Sequence, residues 1–549
     1  MVSAARLKTG ARALLLLLFA LGSIPADGQP SRKKATARAG TAPRAQATAR
    51  ATSRSKARTA TADRTRVTPR KRARPVRRAA AAPALARLEA RTPFGLDALR
   101  GDLGFLSGTS IRNGSWGMMV VSLTHGDTLF SINADVPHQP ASTQKLLTSV
   151  LALNTLGPNY RYRTEVLFTG SLIDGRLDGD MILRGDGDPS LSSRFIGRTP
   201  DAAMDSLVGR LVRAGVRQVT GRVIGDASGF ESRSIPEGWH PRILQDSYAG
   251  RVSALTLNDN LVWVTVRPTT RGSPASVVLE PATTAIAVRA NVRTVGGSGA
   301  SLRVGRGASG ITVSGSIGAQ GYQRSYSYVV EDPASFTTGA FLAALRRNGI
   351  TVAGGMTLGP TPAAARPLVT WESASLETLL TVMNRESVNV IAEHVFRAAG
   401  RGSDRHAVGS AFNSDTALRG LLQRSVGMRG DALHSSDGSG LSQTDLVSPR
   451  AMVQLLGWAD KSSWGPLLHA SLPLAGNSGT LRHRMMGTAA QTNLHAKTGT
   501  TNDIVALAGY VTARNGELLA FTMMYNGRDR WRAREAIDAI GITLANWSR

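Results

Sequence analysis

The sequence predicts an α+β fold in which one discontinuous domain carries an inserted, mainly β module. Helix and strand patterns alternate before residue 165 and again after residue 345, whereas residues 166–345 are rich in Val, Gly, Ser and Thr with short alternating apolar runs. The length of 549 residues allows roughly two to four domains. Because insertions survive in surface loops of a scaffold that already folds, we expect a discontinuous domain at 91–165 and 346–549 around a β-rich insertion at 166–345.

The N-terminal part is predicted to hold a signal peptide and a basic arm. Basic residues precede an apolar run at 13–21, and small residues follow, which is typical of a secretory signal peptide at 1–28. The run is too short to cross a bilayer, and no later segment is long enough, so the mature chain is expected to lack a transmembrane segment. We therefore expect an exported protein of the periplasm or cell envelope.

The arm at 29–90 contains mainly Ala, Arg, Thr, Ser and Pro and has little to bury, so disorder is expected. Of the net charge of +28, residues 31–78 carry +16, from 17 basic residues and one acid. The arm is therefore expected either to bind anionic envelope polymers or to act as a spacer.

Composition excludes several kinds of site. The chain has no Cys, which rules out disulfides, thiol nucleophiles and thiolate zinc sites. Aromatic residues make up 5% of the chain, too few for extended base stacking. Gly-x-Ser-x-Gly, His-Glu-x-x-His and phosphate-cradling glycine loops are absent, and the nine His are scattered. No metal or cofactor is predicted.

The elements of the body follow in order from about residue 93. A short helix leads to a hairpin with strands at 117–123 and 128–133, and a helix at 141–153 ends before Gly157-Pro158. The insertion contains one amphipathic helix at 201–214 and strands at 261–266, 277–279, 286–292, 311–317 and 326–330. Helices return at 333–348, 376–398 and 448–459. The chain closes with strands at 504–512 and 518–525 and a helix from 528.

Three short motifs carry the chemistry: Ser142-x-x-Lys145, Ser387-Val388-Asn389 and Lys497-Thr498-Gly499. They form the set used by penicillin-recognising acyl-enzymes, and they occur in the required order. Other copies of each motif lie in the predicted signal peptide or arm, or out of order. Only this combination fits the predicted helix start, helix and strand.

Lysine usage is an independent indication. Residues 79–549 contain 43 Arg but only three Lys, at positions 145, 461 and 497. A guanidinium cannot lose its proton in a protein, whereas a buried ammonium can become a base. Two of the three lysines lie in the motifs, and Lys461 is expected to be a surface residue.

The spacing suggests an acyl-transfer mechanism. Ser142 and Lys145 are three residues apart at a helix start and share one face, with backbone N–H groups at the helix end. Neutral Lys145, whose proton is disfavoured by burial and by the charge of Lys497, would take the Ser142 proton as Ser142 attacks a carbonyl. Ser387 would pass a proton to the leaving amine, and Asn389 would hold the substrate amide.

The third motif is expected to bind the substrate's terminal carboxylate through Lys497, Thr498 and Thr500. Backbone N–H groups of Ser142 and Thr500 would form the oxyanion hole. Gly499 would allow the strand to approach the ligand closely. Asp188 is a further candidate, as a contact for a side-chain amine of the substrate.

These motifs resemble those of the D-alanyl-D-alanine carboxypeptidase/endopeptidase family of low-molecular-mass penicillin-binding proteins, which have a large insertion between the first two motifs. Here 241 residues separate Lys145 from Ser387, and 107 separate Asn389 from Lys497. The similarity covers roughly residues 95–549, and Val388 departs from the family's usual Asp. Further similar stretches are at 187–191, 437–442, 472–476 and 495–500.

The resemblance implies a β-lactamase/transpeptidase-like domain, with an antiparallel sheet flanked by helices and an all-helical subdomain. It also implies a serine-type D-Ala-D-Ala carboxypeptidase, a D-Ala-diaminopimelate endopeptidase, or both. Its partners would be peptidoglycan stem peptides and cross-links, with β-lactams as covalent inhibitors, and the 437–442 stretch would support the active site. The alternatives are a β-lactamase and a non-catalytic envelope-binding protein of the same fold.

Overall fold

The structure, a computed structural model, describes residues 88–108, 114–307 and 310–549. The predicted signal peptide and the predicted arm up to residue 87 lie outside the described residues. The helices are α1 Leu96–Gly108, α2 Gln144–Thr155, α3 Ala202–Arg213, α4 Pro333–Arg347, α5 Leu376–Glu386, α6 Asn389–Arg401, α7 Ala411–Val426, α8 Pro449–Asp460, α9 Gly465–Ser471 and α10 Arg530–Asn546.

Twenty-two strands are assigned within the described ranges. They are β1 Gly114–Ser122, β2 Thr128–Ile132, β3 Arg163–Phe168, β4 Ser171–Ile173, β5 Arg176–Asp178, β6 Met181–Arg184, β7 Gln218–Val219, β8 Val223–Asp226, β9 Leu261–Arg267, β10 Ser276–Glu280, β11 Val288–Val295, β12 Ala300–Gly307, β13 Gly310–Gly318, β14 Arg324–Val329, β15 Thr351–Val352, β16 Met356–Leu358, β17 Arg366–Glu372, β18 Leu433–His434, β19 Leu446–Val447, β20 His495–Thr500, β21 Ile504–Thr512 and β22 Leu518–Gly527.

A five-stranded antiparallel sheet of order β2-β1-β22-β21-β20 organises the first part of the fold. Successive side chains of its strands point to opposite faces. Leu507 faces the core shared with α1 and α10, whereas Ala506 and Ala508 face the core shared with α2 and the helices α5 to α8. The small alanines allow that helical layer to lie close to the sheet. The α+β class, the antiparallel sheet flanked by helices and the β1–β2 hairpin are confirmed.

The β-rich part contains four further sheets. The larger two have the orders β16-β8-β6-β3-β17 and β15-β7-β5-β4, and α3 and α4 pack into the same core. The other two have three strands each, β10-β9-β14 and β11-β13-β12, and share a small core of Val and Ile. The predicted helix at 201–214 corresponds to α3.

The sheets of the β-rich part extend beyond residue 345, the predicted end of the insertion. The strands β15, β16 and β17, which follow α4, pair with β7, β8 and β3. The run 351–372 is short and broken by Gly and Pro, so its pairing depends on partners more than 100 residues earlier. We therefore propose that the inserted module spans residues 163–372 instead of 166–345.

The chain enters and leaves this module at one place. The Tyr162 N–H donates to Ser373 Oγ at 2.9 Å, and the Ser373 N–H donates to the Tyr162 carbonyl at 3.1 Å. Tyr162 is fully buried. Entry and exit are therefore held side by side.

The single helix predicted at 376–398 is wrong, because it is broken between α5 and α6. Ser387 has a φ of 60° and a ψ of 40°, the left-handed conformation that ends α5. Apolar residues recur at helical spacing on both sides of the break, which conceals it in the sequence. The break lies within the Ser-x-Asn motif.

Among the residues that the structure describes, no helix is both long and apolar enough to cross a membrane.

Candidate active site

The side chains of the three predicted motifs meet where α2, α6 and β20 converge. The Lys145 Nζ atom donates hydrogen bonds to Ser142 Oγ at 3.1 Å and to Asn389 Oδ1 at 2.7 Å. The Lys497 Nζ atom donates to Ser387 Oγ at 2.8 Å. Each buried lysine therefore contacts one motif serine.

The backbone before Ser142 is strained. Ala141 has a φ of 45°, although it carries a Cβ, and it is buried at the start of the turn 141–143 that leads into α2. A Cβ added to Gly440 would lie 1.8 Å from the Ala141 carbonyl oxygen, and one added to Gly499 would lie 2.7 Å from the Pro140 carbonyl oxygen. Two glycines thus let neighbouring backbone press against this turn. Such strain persists only where the surroundings enforce it.

Lys145 is fully buried, and burial lowers the pKa of its amine to about 8 even though the carboxylates of Asp437, Glu393 and Asp445 oppose the shift. Its third acceptor is the Ser439 carbonyl, at 2.6 Å. In the charged form the three protons meet three acceptors. In the neutral form two protons suffice for Asn389 and Ser439, so the lone pair is left for the Ser142 hydroxyl.

Lys497 is also fully buried, and both burial and the nearby charge of Lys145 hold the pKa of its amine well below the ordinary value. Its other acceptor is the Thr498 carbonyl, at 3.0 Å. Within the described parts of the chain, Lys497 forms no ion pair with a carboxylate. A buried ammonium without a counter-charge favours an anionic ligand.

Asn389 is the first residue of α6, and its amide already has partners on both sides. Its oxygen accepts from Lys145, and its Nδ2 donates to the Tyr248 carbonyl at 2.9 Å. The structure therefore shows Asn389 in contact with Lys145 and Tyr248, and its contact with a substrate amide stays a prediction.

The loop 437–442 lies behind Lys145. Both carboxylate oxygens of Asp437 accept backbone N–H groups of this loop, including those of Ser439 at 2.9 Å and Gly440 at 2.6 Å. The Trp239 indole, from the segment between β8 and β9, donates to Asp437 Oδ2 at 2.7 Å. This arrangement fixes the Ser439 carbonyl that accepts from Lys145.

A buried ion pair completes the layer beneath the site. Glu393 and Arg397, one turn apart on α6, form an ion pair of 2.9 Å with both side chains fully buried. Burial, and next the charge of Asp437, raise the pKa of Glu393 to about 7. Glu393 also accepts the Gly438 N–H at 3.2 Å, so it joins α6 to the loop 437–442.

The residues that follow Lys497 in the third motif lie on β20. Thr498 is nearly buried, and its hydroxyl donates to Thr480 Oγ1 at 2.8 Å. Thr500 is exposed, and its hydroxyl donates to the Gly499 carbonyl at 2.8 Å. The structure thus brings Thr498, Gly499 and Thr500 next to the turn 141–143.

Two subsidiary predictions concern Lys461 and Asp188. Lys461 is exposed, as expected for a surface lysine. Asp188 is buried, and its Oδ1 accepts from the backbone and hydroxyl of Ser190, so its contact with a substrate amine stays a prediction. Burial raises the pKa of Asp188 to about 7.

Sequence reasoning missed Trp239, Tyr248, Glu393 and Thr480. Trp239 and Tyr248 belong to the inserted module, more than 90 residues from any motif, and neither forms a recognisable pattern. Glu393 could have been found, because it follows Asn389 by one helical turn and therefore lies on the same face of α6.

Comparisons with known proteins agree with this geometry. The model of the D-Ala-D-Ala carboxypeptidase 3 (S13) family matches residues 105–547. A D-alanyl-D-alanine carboxypeptidase of an Actinomadura species is 33% identical over 85% of this chain and 88% of its own length. D-alanyl-D-alanine carboxypeptidase DacB of Haemophilus influenzae is 27% identical over 75% of this chain and 85% of its own length.

A solved structure shows the same fold. The crystal structure of penicillin-binding protein 4 from Haemophilus influenzae superposes with a TM-score of 0.67 at 24% identity and covers 81% of this chain and 98% of that one. The family match extends over most of the residues that form the sheets and helices described above. The chain therefore belongs to the D-Ala-D-Ala carboxypeptidase 3 (S13) family and is a hydrolase of the penicillin-binding protein class.

Proposed function

We propose that the chain is an exported serine-type peptidase that cleaves the D-Ala-D-Ala end of peptidoglycan stem peptides through an acyl-enzyme on Ser142. We also propose that it cleaves the D-Ala-diaminopimelate cross-link and that β-lactams inhibit it. The observation that carries the proposal is the contact of 3.1 Å between Lys145 Nζ and Ser142 Oγ, with the two other acceptors of Nζ already in place.

In the first half of the reaction, neutral Lys145 accepts the Ser142 proton while Oγ bonds to the carbonyl carbon of the penultimate D-Ala. Backbone N–H groups of Ser142 and Thr500 are proposed to stabilise the oxyanion. The tetrahedral intermediate collapses when the bond to the terminal amine breaks. Ser387 gives its proton to that amine and regains one from Lys497, to which it is hydrogen-bonded.

In the second half, water attacks the ester and gives one proton through Ser387 to Lys497, which regains its charge. Ser142 leaves with the proton returned by Lys145, so both lysines end in their starting states. The same steps release the amine of a diaminopimelate residue when the substrate is a cross-link. Both activities therefore need the same residues and differ only in the leaving group.

The terminal carboxylate of the substrate is proposed to lie against Lys497, Thr498 and Thr500. Lys497 is a fully buried amine whose pKa is lowered by burial and by Lys145. An arriving carboxylate supplies the missing opposite charge and raises that pKa again. We therefore expect peptides with a free C-terminal carboxylate to be preferred over peptides with an amidated end.

Inhibition by β-lactams is supported by one solved relative. Penicillin-binding protein 4 of Haemophilus influenzae has been crystallised in complex with a β-lactam, and that structure superposes with a TM-score of 0.62 over 79% of this chain. Export is supported by the predicted signal peptide at 1–28, and the basic arm is proposed to contact anionic envelope polymers or to act as a spacer.

The test is to incubate the purified protein with a labelled penicillin and to map the modified residue by peptide mass spectrometry. We expect one stable label on Ser142, none in Ser142→Ala, and full labelling in Ser107→Ala, a control serine in α1 whose hydroxyl donates to the Leu103 carbonyl. Labelling elsewhere, or none, would contradict the acyl-enzyme. Rapid sustained hydrolysis of the penicillin would identify a β-lactamase instead.

A second assay separates the two proposed peptidase activities. A pentapeptide ending in D-Ala-D-Ala and a purified cross-linked dimer are digested in parallel, and the products are separated by chromatography. Ser142→Ala is expected to abolish both cleavages. Release of D-Ala without cleavage of the dimer would restrict the protein to carboxypeptidase activity.

A further inference from the structure

One face of the inserted module is basic and lacks acids. The 50 residues between Glu280 and Glu331 contain five Arg and no Lys, Asp or Glu. This segment forms the sheet β11-β13-β12 and the strand β14. No carboxylate within this stretch can compensate its positive charge.

The register of the sheet places three of these arginines on one side. Val292 and Val313 point into the small core, and the residues that alternate with them point outward. Arg289, Asn291, Thr312, Ser314, Arg293 and Arg303 are all exposed on the outward side, and we name these six residues the arginine face.

The spacing within the arginine face follows from strand geometry. Arg289 and Arg293 are four residues apart on β11, which corresponds to about 13 Å along the strand. Arg303 lies on β12, across β13 from Asn291, or about 10 Å in the perpendicular direction. The three guanidinium groups therefore surround a flat area occupied by Thr, Ser and Asn.

The arginines of this face are unpaired, in contrast to the arginine on the other side of the sheet. Arg306 forms an ion pair with Glu331 at 3.2 Å. Within the described ranges, the side chains of Arg289, Arg293 and Arg303 form no ion pair with any acid. Free guanidinium groups among hydroxyl and amide side chains suit a ligand that presents both anionic groups and hydroxyls.

We propose that the arginine face binds an anionic glycan polymer of the bacterial wall, so that the inserted module holds the enzyme on its polymeric substrate. The anionic groups are the peptide carboxylates of peptidoglycan, and its glycan strands supply the hydroxyls. A nucleic acid is less suitable, because the face carries no aromatic side chain on which bases could stack. The wall location rests on the proposed function, whereas the charge complementarity does not.

The test compares two triple variants of the full chain. One variant removes the face charges, R289Q/R293Q/R303Q. The control, R213Q/R346Q/R424Q, removes the same charge from exposed arginines of α3, α4 and α7 that form no ion pair among the described residues. The N-terminal arm is the same in both variants, so its contribution cancels in the comparison.

Binding is measured by co-sedimentation with purified wall fragments, before and after hydrofluoric acid removes phosphate-linked polymers. We expect the face variant to bind about tenfold more weakly than the control, the size expected for three exposed charge contacts acting together. A difference between the variants that persists after the acid treatment supports peptidoglycan carboxylates as the ligand. A difference that disappears would identify the phosphate-linked polymer and would overturn the proposal.

Equal binding of wall fragments by the two variants would overturn the proposal. The proposal would also be overturned if the face variant bound duplex DNA more weakly than the control but bound wall fragments equally well. Turnover of a short soluble D-Ala-D-Ala peptide is measured in parallel and is expected to be the same in both variants. If neither variant nor the parent chain cleaves the peptide, the proposed function fails, while the wall-binding result is still interpretable by itself.

Discussion

The indole Nε1 of Trp239 donates a hydrogen bond of 2.7 Å to Oδ2 of Asp437. Asp437 gathers the backbone N–H groups of the loop 437–442, and the Ser439 carbonyl of that loop accepts from Lys145. An indole of the inserted module therefore helps to hold the loop that contacts Lys145, the proposed base. The module contributes to the active site without supplying a reacting group.

We expect Trp239→Phe to slow acylation of Ser142 about fivefold to tenfold. The change removes one donor to a buried carboxylate, a loss of about 1 kcal/mol, while Leu441 and Ser442 still donate to the same oxygen. The rate of penicillin labelling measures the effect. Trp458→Phe is the control, because Trp458 packs against Trp464. Equal rates in both variants would show that the indole contact does not position the loop.

The rate of acylation is expected to rise with pH. Lys145 must lose its proton to act as a base, and its pKa is lowered by burial to about 8. The neutral fraction then increases about fiftyfold between pH 6 and pH 8, and the rate should follow. Lys145→Arg should abolish acylation, because a guanidinium is not deprotonated. Lys461→Arg, at an exposed position, should retain the parent profile, and a profile that falls with pH would contradict the assignment.

Gly440→Ala is expected to abolish acylation and to destabilise the protein. Its Cβ would lie 1.8 Å from the Ala141 carbonyl oxygen, and its φ of 82° also disfavours Ala. Gly427→Ala is a matched control, since Gly427 has a φ of 68° with no atom within 4 Å of the added Cβ. The control should lose about 1 kcal/mol of unfolding free energy and retain its activity. Full activity in Gly440→Ala would contradict the prediction, because it would show that the turn at 141–143 can move to accommodate the added Cβ.

At Ser387 we expect Gly to be more stable than Ala, while both substitutions lower turnover. Residue 387 ends α5 in the left-handed conformation, where Gly is favoured over other residues by about 1 kcal/mol. Both variants lose the hydroxyl that accepts from Lys497. Thermal unfolding of the pair is compared with Ser206→Gly and Ser206→Ala within α3, where the order of stability should reverse. The same order at both positions would argue against the helix break.

Glu517 should stabilise the protein at neutral pH and lose this effect in acid. Burial favours its protonated form, but hydrogen bonds from Arg549, Asn515 and Ser122 outweigh burial and lower the pKa of Glu517 to about 2. This value lies below that of an unfolded glutamate, so the stabilisation is present above about pH 4.5 and disappears as the pH falls towards 2. Melting curves of Glu517→Gln should differ from the parent at pH 7 and converge in acid. Glu535→Gln, at a more exposed carboxylate, should match the parent throughout, and a constant difference at all pH values would contradict the assignment.

Local patterns predicted much of this structure. The hairpin β1–β2 and the strands β21 and β22 follow from alternation and turn residues, and Lys145 and Lys497 stand out because the body otherwise uses Arg. These features depend on neighbours within a few residues. The two buried lysines are therefore visible in the ratio of Lys to Arg, which is a signal independent of the predicted helices and strands.

The rest depends on contacts that are distant in the chain. The break at Ser387 interrupts a helical pattern that continues on both sides, so only packing against Lys497 and β20 distinguishes it. The strand β17 pairs with β3 across about 200 residues, and neither sequence specifies the other. Trp239 has no signature at all, because its role exists only where two distant loops meet.

The reciprocal hydrogen bonds between Tyr162 and Ser373 imply that the inserted module could be removed without separating the two ends that it joins. Since the two ends of the interruption lie within hydrogen-bonding distance, a chain lacking residues 163–372 could be closed by a short link at little entropic cost. Such a shortened chain would keep all three motifs but would lack the indole of Trp239 and the carbonyl of Tyr248. Asp437 and Asn389 would then each lose a hydrogen-bond partner.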